Sequence, residues 1–465
     1  MAATLTASAL ADALSYGRRP QVRARWMSTL RHLIALPTFS GSPALEQAAS
    51  LLANELVAIG MQKCRIIRFG PGAPPSVWAE RREIPGAPCL LLYAHFDVQP
   101  PGSHPWRRMP FSADVFDERV HGRGASDNKG PLICLLAGLE SHLATSGRLP
   151  VNVRIWLEGE EEIGSPHLPS FLDRHGPLLK ADAIALSDSS RVAGVDRPTL
   201  VTGLRGMLDI SLTVSGPSHE LHSGALGGEV LDPGLVLSQL ISSLLSIDRR
   251  VRVTGFYDAV RKPTRDELLQ NSAVTSRIHS FAESAGVPIT GLLGERGWPP
   301  GTRSTLRPSL TVVGISAGRT GASAVASIPT SATARINIRL VADQDPRAIA
   351  CLLRNHFRRV APPGARYRVK VLASAYPVVA KAGQSFAGPL HRALTKTWGR
   401  RPLVIRNGGT IPVVAELHRR FGMPAAMWGL SGPDGRIHAS DESFAVDDLR
   451  RGSEVVTRLL QEAAQ

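Results

Sequence analysis

Between residues 63 and 188, short apolar runs alternate with longer amphipathic stretches. PCLLLYAHF (88–96) is apolar enough to form a strand buried on both faces, and KCRIIRF (63–69), SVWAER (76–81), VNVRIWLE (151–158) and ADAIALSD (181–188) read as further strands. Residues 22–36 and 44–59 carry helical spacing, the second stretch ending at Gly60, and PLICLLAGLESHLAT (131–145) is a third helix. Continuous apolar strands separated by helices predict an α/β fold: a mixed, mostly parallel sheet flanked by helices. The N-terminal MAATLTASALADALSYGRR lacks a basic start followed by a continuous apolar core, so it reads as an amphipathic helix and not a secretory signal.

After about residue 203 the pattern changes. MLDISLTVSG (207–216) alternates like a half-exposed strand, and Asp232 and Pro233 open a helix predicted over 232–250. A polar stretch punctuated by Gly and Pro covers 255–308. SLTVVGIS (309–316), ATARINIRLV (332–341), a helix over 345–360 and YRVKVLAS (367–374) follow. The order β-α-β-β-α-β predicts a ferredoxin-like α+β domain. From about 380 the first pattern returns: helix 383–397, a Gly-rich turn at 406–410, helix 411–420, strand 425–430 and a terminal helix. The expected organisation is a main domain in two pieces, 1–203 and 377–465, with 204–376 inserted.

Composition narrows the class. Hydrophobic residues make up 43% and charged residues 20%, as in soluble globular chains, and no apolar run is long enough to span a bilayer. Cys64, Cys89, Cys134 and Cys351 form no CxxC pair and lie in or beside apolar segments, which predicts buried, reduced thiols and a cytoplasmic location. The formal charge of +15 comes from seven lysines and forty-seven scattered arginines. With no zinc finger, RNP-like pattern or basic heptad region, neither nucleic acid nor membrane is expected as a partner.

Chemistry gathers where the predicted strands end. His95 and Asp97 form H-x-D, which puts both side chains on one face of an extended chain. Asp127 lies in GRGASDNKGP before the helix at 131, where it also fits an N-cap. Glu160, Glu161 and Glu162 crowd together in LEGEEEIGS, Asp188 ends ALSD, and His438 sits in GPDGRIHASDE. Singly, Asp188 fits a turn and His438 an ordinary loop. Jointly these residues form an imidazole and carboxylate set without thiolate, suited to two borderline divalent ions roughly 3.5–4 Å apart with a bridging carboxylate. One glutamate of the triplet then binds metal while its neighbour acts as general base.

The ordered set YAHFDVQP, GRGASDNKGP, LEGEEEIGS, SD at 187–188, ELHSG, RNGGTIP and GPDGRIHASDE resembles the carnosinase-like dizinc metallopeptidases. That family includes cytosolic non-specific dipeptidases and is related to succinyl-diaminopimelate desuccinylases, acetylornithine deacetylases and aminoacylases. The resemblance implies a phosphorylase/hydrolase-like catalytic domain with an inserted lid and dimerisation domain, a homodimer, and two Zn²⁺ per subunit, with Mn²⁺ or Co²⁺ as substitutes. It implies His95 and Asp188 as ligands of one metal, Glu162 and His438 of the other, and Asp127 as the bridge. Glu161 resembles the catalytic base, Asp97 the carboxylate behind His95, and Glu160 a solvated, variable position. His222 of ELHSG matches a histidine that reaches the partner subunit's site and stabilises the oxyanion. Arg339 and Arg406 match arginines that hold the substrate's carboxylate, with Gly409 and Thr410 offering donors nearby. The expected activity is hydrolysis of a dipeptide or similar small substrate with a free carboxylate; the alternative is a deacylase, desuccinylase or deaminating amidohydrolase. Asn407 and Ala326 depart from the family pattern, where an acidic residue and a threonine are common, and these departures bear on substrate choice.

Overall fold

The computed structural model of the chain describes residues 7–275, 278–380 and 386–465. The chain forms two compact units: Met1–Thr202 with Ala380–Ile405 and Ile411–Gln465, and Gly203–Val379 with Arg406–Thr410.

The first unit is built on one sheet. From one edge its strands run Lys63–Ile67, Ser76–Arg81, Asn152–Glu158, Cys89–His95, Ala183–Leu186, Ala425–Gly429 and Thr199–Leu204. The pairings are antiparallel at the two edges and parallel between the four central strands. All seven positions of Cys89–His95 are buried, because the strand has neighbours on both sides and helices over both faces. The helix Gly130–Ser146 is buried almost all round, packed against Ala7–Arg18 and Val446–Ala463. A Cβ at Gly138 would lie 2.6 Å from the Val456 side chain, so only glycine permits this helix approach. The mixed sheet, parallel at its centre and covered by helices, is the predicted fold class.

The second unit has a four-stranded antiparallel sheet in the order Ser309–Ala317, Ser331–Leu340, Gly206–Ser215, Arg366–Ala375. Helices Pro233–Ser242 and Pro346–Val360 pack against it, and together these elements make the ferredoxin-like arrangement. Both helices start on Asp-Pro: Asp232 accepts the Gly234 N–H at 2.7 Å and Asp345 the Arg347 N–H at 2.7 Å, while the proline contributes no orphan donor.

Four expectations need correction or completion. The helix expected over 232–250 ends at Ser242, where the chain turns back and Leu245 bridges Val251 in antiparallel fashion. The four cysteines are free thiols, but Cys351 is exposed and Cys64 half-buried, because each lies at the solvent edge of its element. The stretch 255–308 contains the helix Arg265–Thr275. Of the helix expected over 383–397, residues 383–385 lie outside the described residues, and the described part begins at Ala387. Among the described residues no helix is long and apolar enough to cross a membrane.

Candidate metal centre

Parallel strands end on the same side of a sheet, which is why open α/β sheets gather functional groups there. His95 is the last residue of Cys89–His95, and Glu161 and Glu162 follow Asn152–Glu158. Asp188 stands two residues beyond Ala183–Leu186, and His438 lies in the loop after Ala425–Gly429. Asp127 comes from the turn Ala125–Lys129 that leads into Gly130–Ser146; its peptide bond to Asn128 is cis.

These residues converge into two groups that share Asp127. Its Oδ1 lies 3.0 Å from His95 Nε2 and its Oδ2 3.1 Å from His438 Nε2. His95 Nε2 also lies 3.7 Å from Asp188 Oδ1, and His438 Nε2 3.1 Å from Glu162 Oε2. Within His95, Asp127 and Asp188, and again within Asp127, Glu162 and His438, one donor atom from each residue lies within 4.8 Å of the others.

The remaining contacts fix the donors. His95 Nδ1 meets the Asp97 backbone carbonyl at 3.1 Å, and Asp97 Oδ1 lies 3.4 Å away. The Asp97 carboxylate accepts the backbone N–H of Glu161 at 3.1 Å and of Glu162 at 2.9 Å, tying the glutamate turn to the histidine strand. The Glu161 carboxylate belongs to neither group and makes no hydrogen bond among the described residues. Burial, and then the charges of Asp188, Asp127 and Glu162, hold its carboxyl well above the usual range despite the pull of His95.

The fit to cations can be judged on these groups. Glu162 Oε1 is buried without a hydrogen-bond partner. Four carboxylates, those of Asp127, Glu161, Glu162 and Asp188, stand against two imidazoles, a balance that leaves negative charge uncompensated. Nitrogen and oxygen donors in two triplets with one shared carboxylate suit a pair of divalent ions.

Other expected residues lie elsewhere. Glu160, expected to be solvated, is buried: its carboxylate accepts the His167 N–H at 2.9 Å and meets the His167 ring at 2.7 Å, so it anchors the start of the helix Leu168–Leu179. His222 is exposed in the second unit, its Nδ1 accepting the Gly224 N–H at 3.1 Å, and it joins neither group. Arg339 donates to the Thr410 hydroxyl at 2.8 Å, Gly409 N–H donates to Asn407 Oδ1 at 2.9 Å, and Arg406 pairs with Glu267.

Sequence reasoning missed the brace beneath Asp127. Glu442, fully buried, accepts backbone N–H bonds from Gly124, Ser126 and Asp127 at 2.9–3.0 Å and pairs with buried Arg123 at 2.8 Å. Arg123 also donates to the His438 carbonyl at 3.3 Å, so one ion pair steadies the loops of Asp127 and His438. Burial and the Asp127 charge push the Glu442 carboxyl up to about 7 against these donors. Its position four residues after His438 was the available signal. Glu442→Gln is expected to cost about 3–5 kcal/mol of stability, because Arg123 stays buried without its partner. It should also weaken metal binding about 10- to 100-fold. Denaturant unfolding and metal titration check both; unchanged metal affinity would show the brace to be irrelevant to the site.

Comparison with known proteins identifies the family. The chain is 27% identical to a Cys-Gly metallodipeptidase of Schizosaccharomyces pombe over 94% of its own length and 95% of the relative's. It is 26% identical to the Beta-Ala-His dipeptidase of Rattus norvegicus, covering 84% of this chain and 80% of that one. Among solved structures, the M20 family metallo-carboxypeptidase Sso-CP2 from Sulfolobus solfataricus superposes with a TM-score of 0.84 at 28% identity, over 94% of this chain and 99% of that one. Human carnosine dipeptidase 1 shares the fold, with a TM-score of 0.82 at 23% identity over 98% and 99% of the two chains. The profile of Peptidase family M20/M25/M40 matches residues 91–462, a span that runs from the strand ending in His95 past the loop of His438, and the chain belongs to that family.

Proposed function

We propose that the chain is a metal-dependent hydrolase of the peptide bond of dipeptides, or of the amide of similarly small substrates with a free carboxylate. The observation that carries this reading is the pair of donor triplets joined through Asp127, with the Glu161 carboxylate unmatched beside them. In this reading His95, Asp127 and Asp188 hold one divalent ion, and Asp127, Glu162 and His438 hold the other. Imidazole and carboxylate donors favour zinc, with manganese or cobalt as substitutes. When bound, the two ions polarise the scissile carbonyl and acidify the attacking water.

The chain's own groups do the rest. A Glu161 carboxylate oxygen takes the proton of the attacking water and delivers it to the nitrogen of the leaving amine. Asp97 keeps the His95 ring in one orientation through its backbone carbonyl, 3.1 Å from Nδ1, with its carboxylate behind at 3.4 Å. Arg339 of the second unit, with Gly409 and Thr410 beside it, receives the substrate's carboxylate. His222 donates to the developing oxyanion in a second copy of the chain. Its exposure supports that role, as does the edge strand Ser309–Ala317, which presents Val313 and Ile315 to solvent and offers a homodimer its contact. In this reading residues 204–376 form the lid and dimerisation domain, and free thiols fit a cytoplasmic enzyme.

The test is a dipeptide panel that includes Cys-Gly and β-Ala-His, the dipeptides named for the relatives. Metal-free protein reloaded with zinc or manganese is expected to cleave members of the panel, and chelation to abolish cleavage. Activity that survives complete metal removal would exclude the mechanism. Two ions bound per chain with no dipeptide cleaved would transfer the site to acylated or amino-substituted metabolites.

A further inference from the structure

The arginines of the second unit are not equivalent in charge balance. Arg406 is neutralised by Glu267, which also holds Arg261 through both oxygens at 2.9 and 3.0 Å. Glu267 is itself locked in place: its carboxylate accepts the Thr264 N–H at 2.8 Å, and Thr264 Oγ1 accepts the Glu267 N–H at 3.2 Å. This reciprocal pair is a capping box at the start of Arg265–Thr275. Two guanidinium groups on one carboxylate hold Glu267 well below the usual carboxylate range, at about 2.

Arg339 and Arg205 stand differently. Among the described residues neither has a carboxylate within ion-pair distance. Arg339 donates, among the described residues, only to Thr410 Oγ1, and Arg205 donates to the carbonyls of Gly408 and Arg307 and to Ser309 Oγ. Burial and the Arg339 charge pull Arg205 down to about 9, and burial lowers Arg339. Arg205 also clasps the turn that orients Arg339. Its Nε meets Gly408 O at 2.9 Å, its backbone N–H meets Gly409 O at 3.0 Å, and its carbonyl accepts the Thr410 hydroxyl at 2.7 Å. That hydroxyl in turn accepts from Arg339 Nη1.

We infer a division of labour among these arginines: Arg339 alone receives the substrate's terminal carboxylate, Arg205 positions it through the Gly408–Thr410 turn, and Glu267 withdraws Arg406 from recognition. The inference rests on the dipeptidase reading above and deepens it. A carboxylate gains most from a guanidinium that has no other anion, and at Arg406 it would have to compete with Glu267, which already neutralises that charge.

The experiment is the ratio of kcat/KM for a dipeptide over the same dipeptide with its C-terminus amidated. This ratio is independent of the fraction of enzyme that is folded and active. Arg339→Met and the charge-keeping Arg205→Lys are expected to lower the ratio on the order of 10- to 100-fold, mainly through KM for the free-carboxylate substrate. Arg406→Met, which leaves Glu267 compensated by Arg261, is expected to change both substrates by the same factor and leave the ratio intact. A fall in the ratio for Arg406→Met matching that for Arg339→Met overturns the division of labour, as does an unchanged ratio in Arg205→Lys or no wild-type preference for the free carboxylate; each leaves the dipeptidase reading standing. Absence of wild-type turnover on any dipeptide removes that reading and the inference with it.

Discussion

Glu161→Gln is expected to keep both metal ions and lose turnover by about 10²–10⁴-fold, the usual contribution of a positioned general base. The side chain belongs to neither donor triplet and bonds to nothing among the described residues, so its removal leaves the ion-holding groups intact. Measured metal content and kcat on a cleaved dipeptide check this together. Retention of kcat within a few-fold, or loss of metal alongside activity, would reassign Glu161 from base to ligand or bystander.

The same substitution carries a stability signature in the metal-free protein. Burial and three neighbouring carboxylates raise the Glu161 carboxyl well above its ordinary value. A carboxyl whose folded pKa is raised costs stability once the pH exceeds its unfolded pKa of about 4.3, because the folded state must then lose a proton it retains more tightly. The penalty grows until the pH passes the folded pKa. Metal-free Glu161→Gln should therefore melt above the metal-free wild type at neutral and alkaline pH, with the difference closing towards pH 4. Loss of activity joined to a gain in apo stability separates this residue from one that merely supports the fold.

Much of this site was legible in the chain because parallel strands buried on both faces read as unbroken apolar runs. The ends of CLLLYAH, NVRIWLE and AIAL were therefore visible, and the polar residues just beyond them were candidates by position alone. The ferredoxin-like unit was readable for a similar reason: Asp-Pro starts mark its two helices and period-2 alternation marks its strands. What escaped was tertiary pairing across long separations. The Glu442–Arg123 brace joins residues 319 positions apart, and Glu267 meets Arg406 across 139. No local pattern encodes either contact. Glu160 escaped too, since a third adjacent glutamate reads as solvated until His167 folds back on it. The helix expected over 232–250 ran too long because Ser243–Leu245 has helical composition, while the reversal at Ser246–Arg250 depends on a backbone bond between Ser246 and Arg250.

Asp127→Ala is expected to remove both metal ions at once, whereas Asp188→Ala removes one. Each oxygen of Asp127 serves a different histidine, at 3.0 Å for His95 and 3.1 Å for His438, so both triplets fall to two donors when it is lost. In the wild type, ions supplied at 100 times Kd should stabilise the fold by about 2.7 kcal/mol per site, seen as a rise in melting temperature that chelator reverses. Asp127→Ala should show no such rise. Its apo protein should also be weaker than the wild type, the opposite of Glu161→Gln, because the two histidines hold the Asp127 carboxyl well below its ordinary value. A depressed carboxyl adds stability above its unfolded pKa and loses it as the pH falls through the folded one, so this cost appears at neutral pH. The cost, up to about 3–5 kcal/mol, comes from buried His95 losing a partner, while half-exposed His438 adds little. One tightly bound ion left in Asp127→Ala, with the other lost, would show that the two groups are separate sites and that Asp127 does not bridge them.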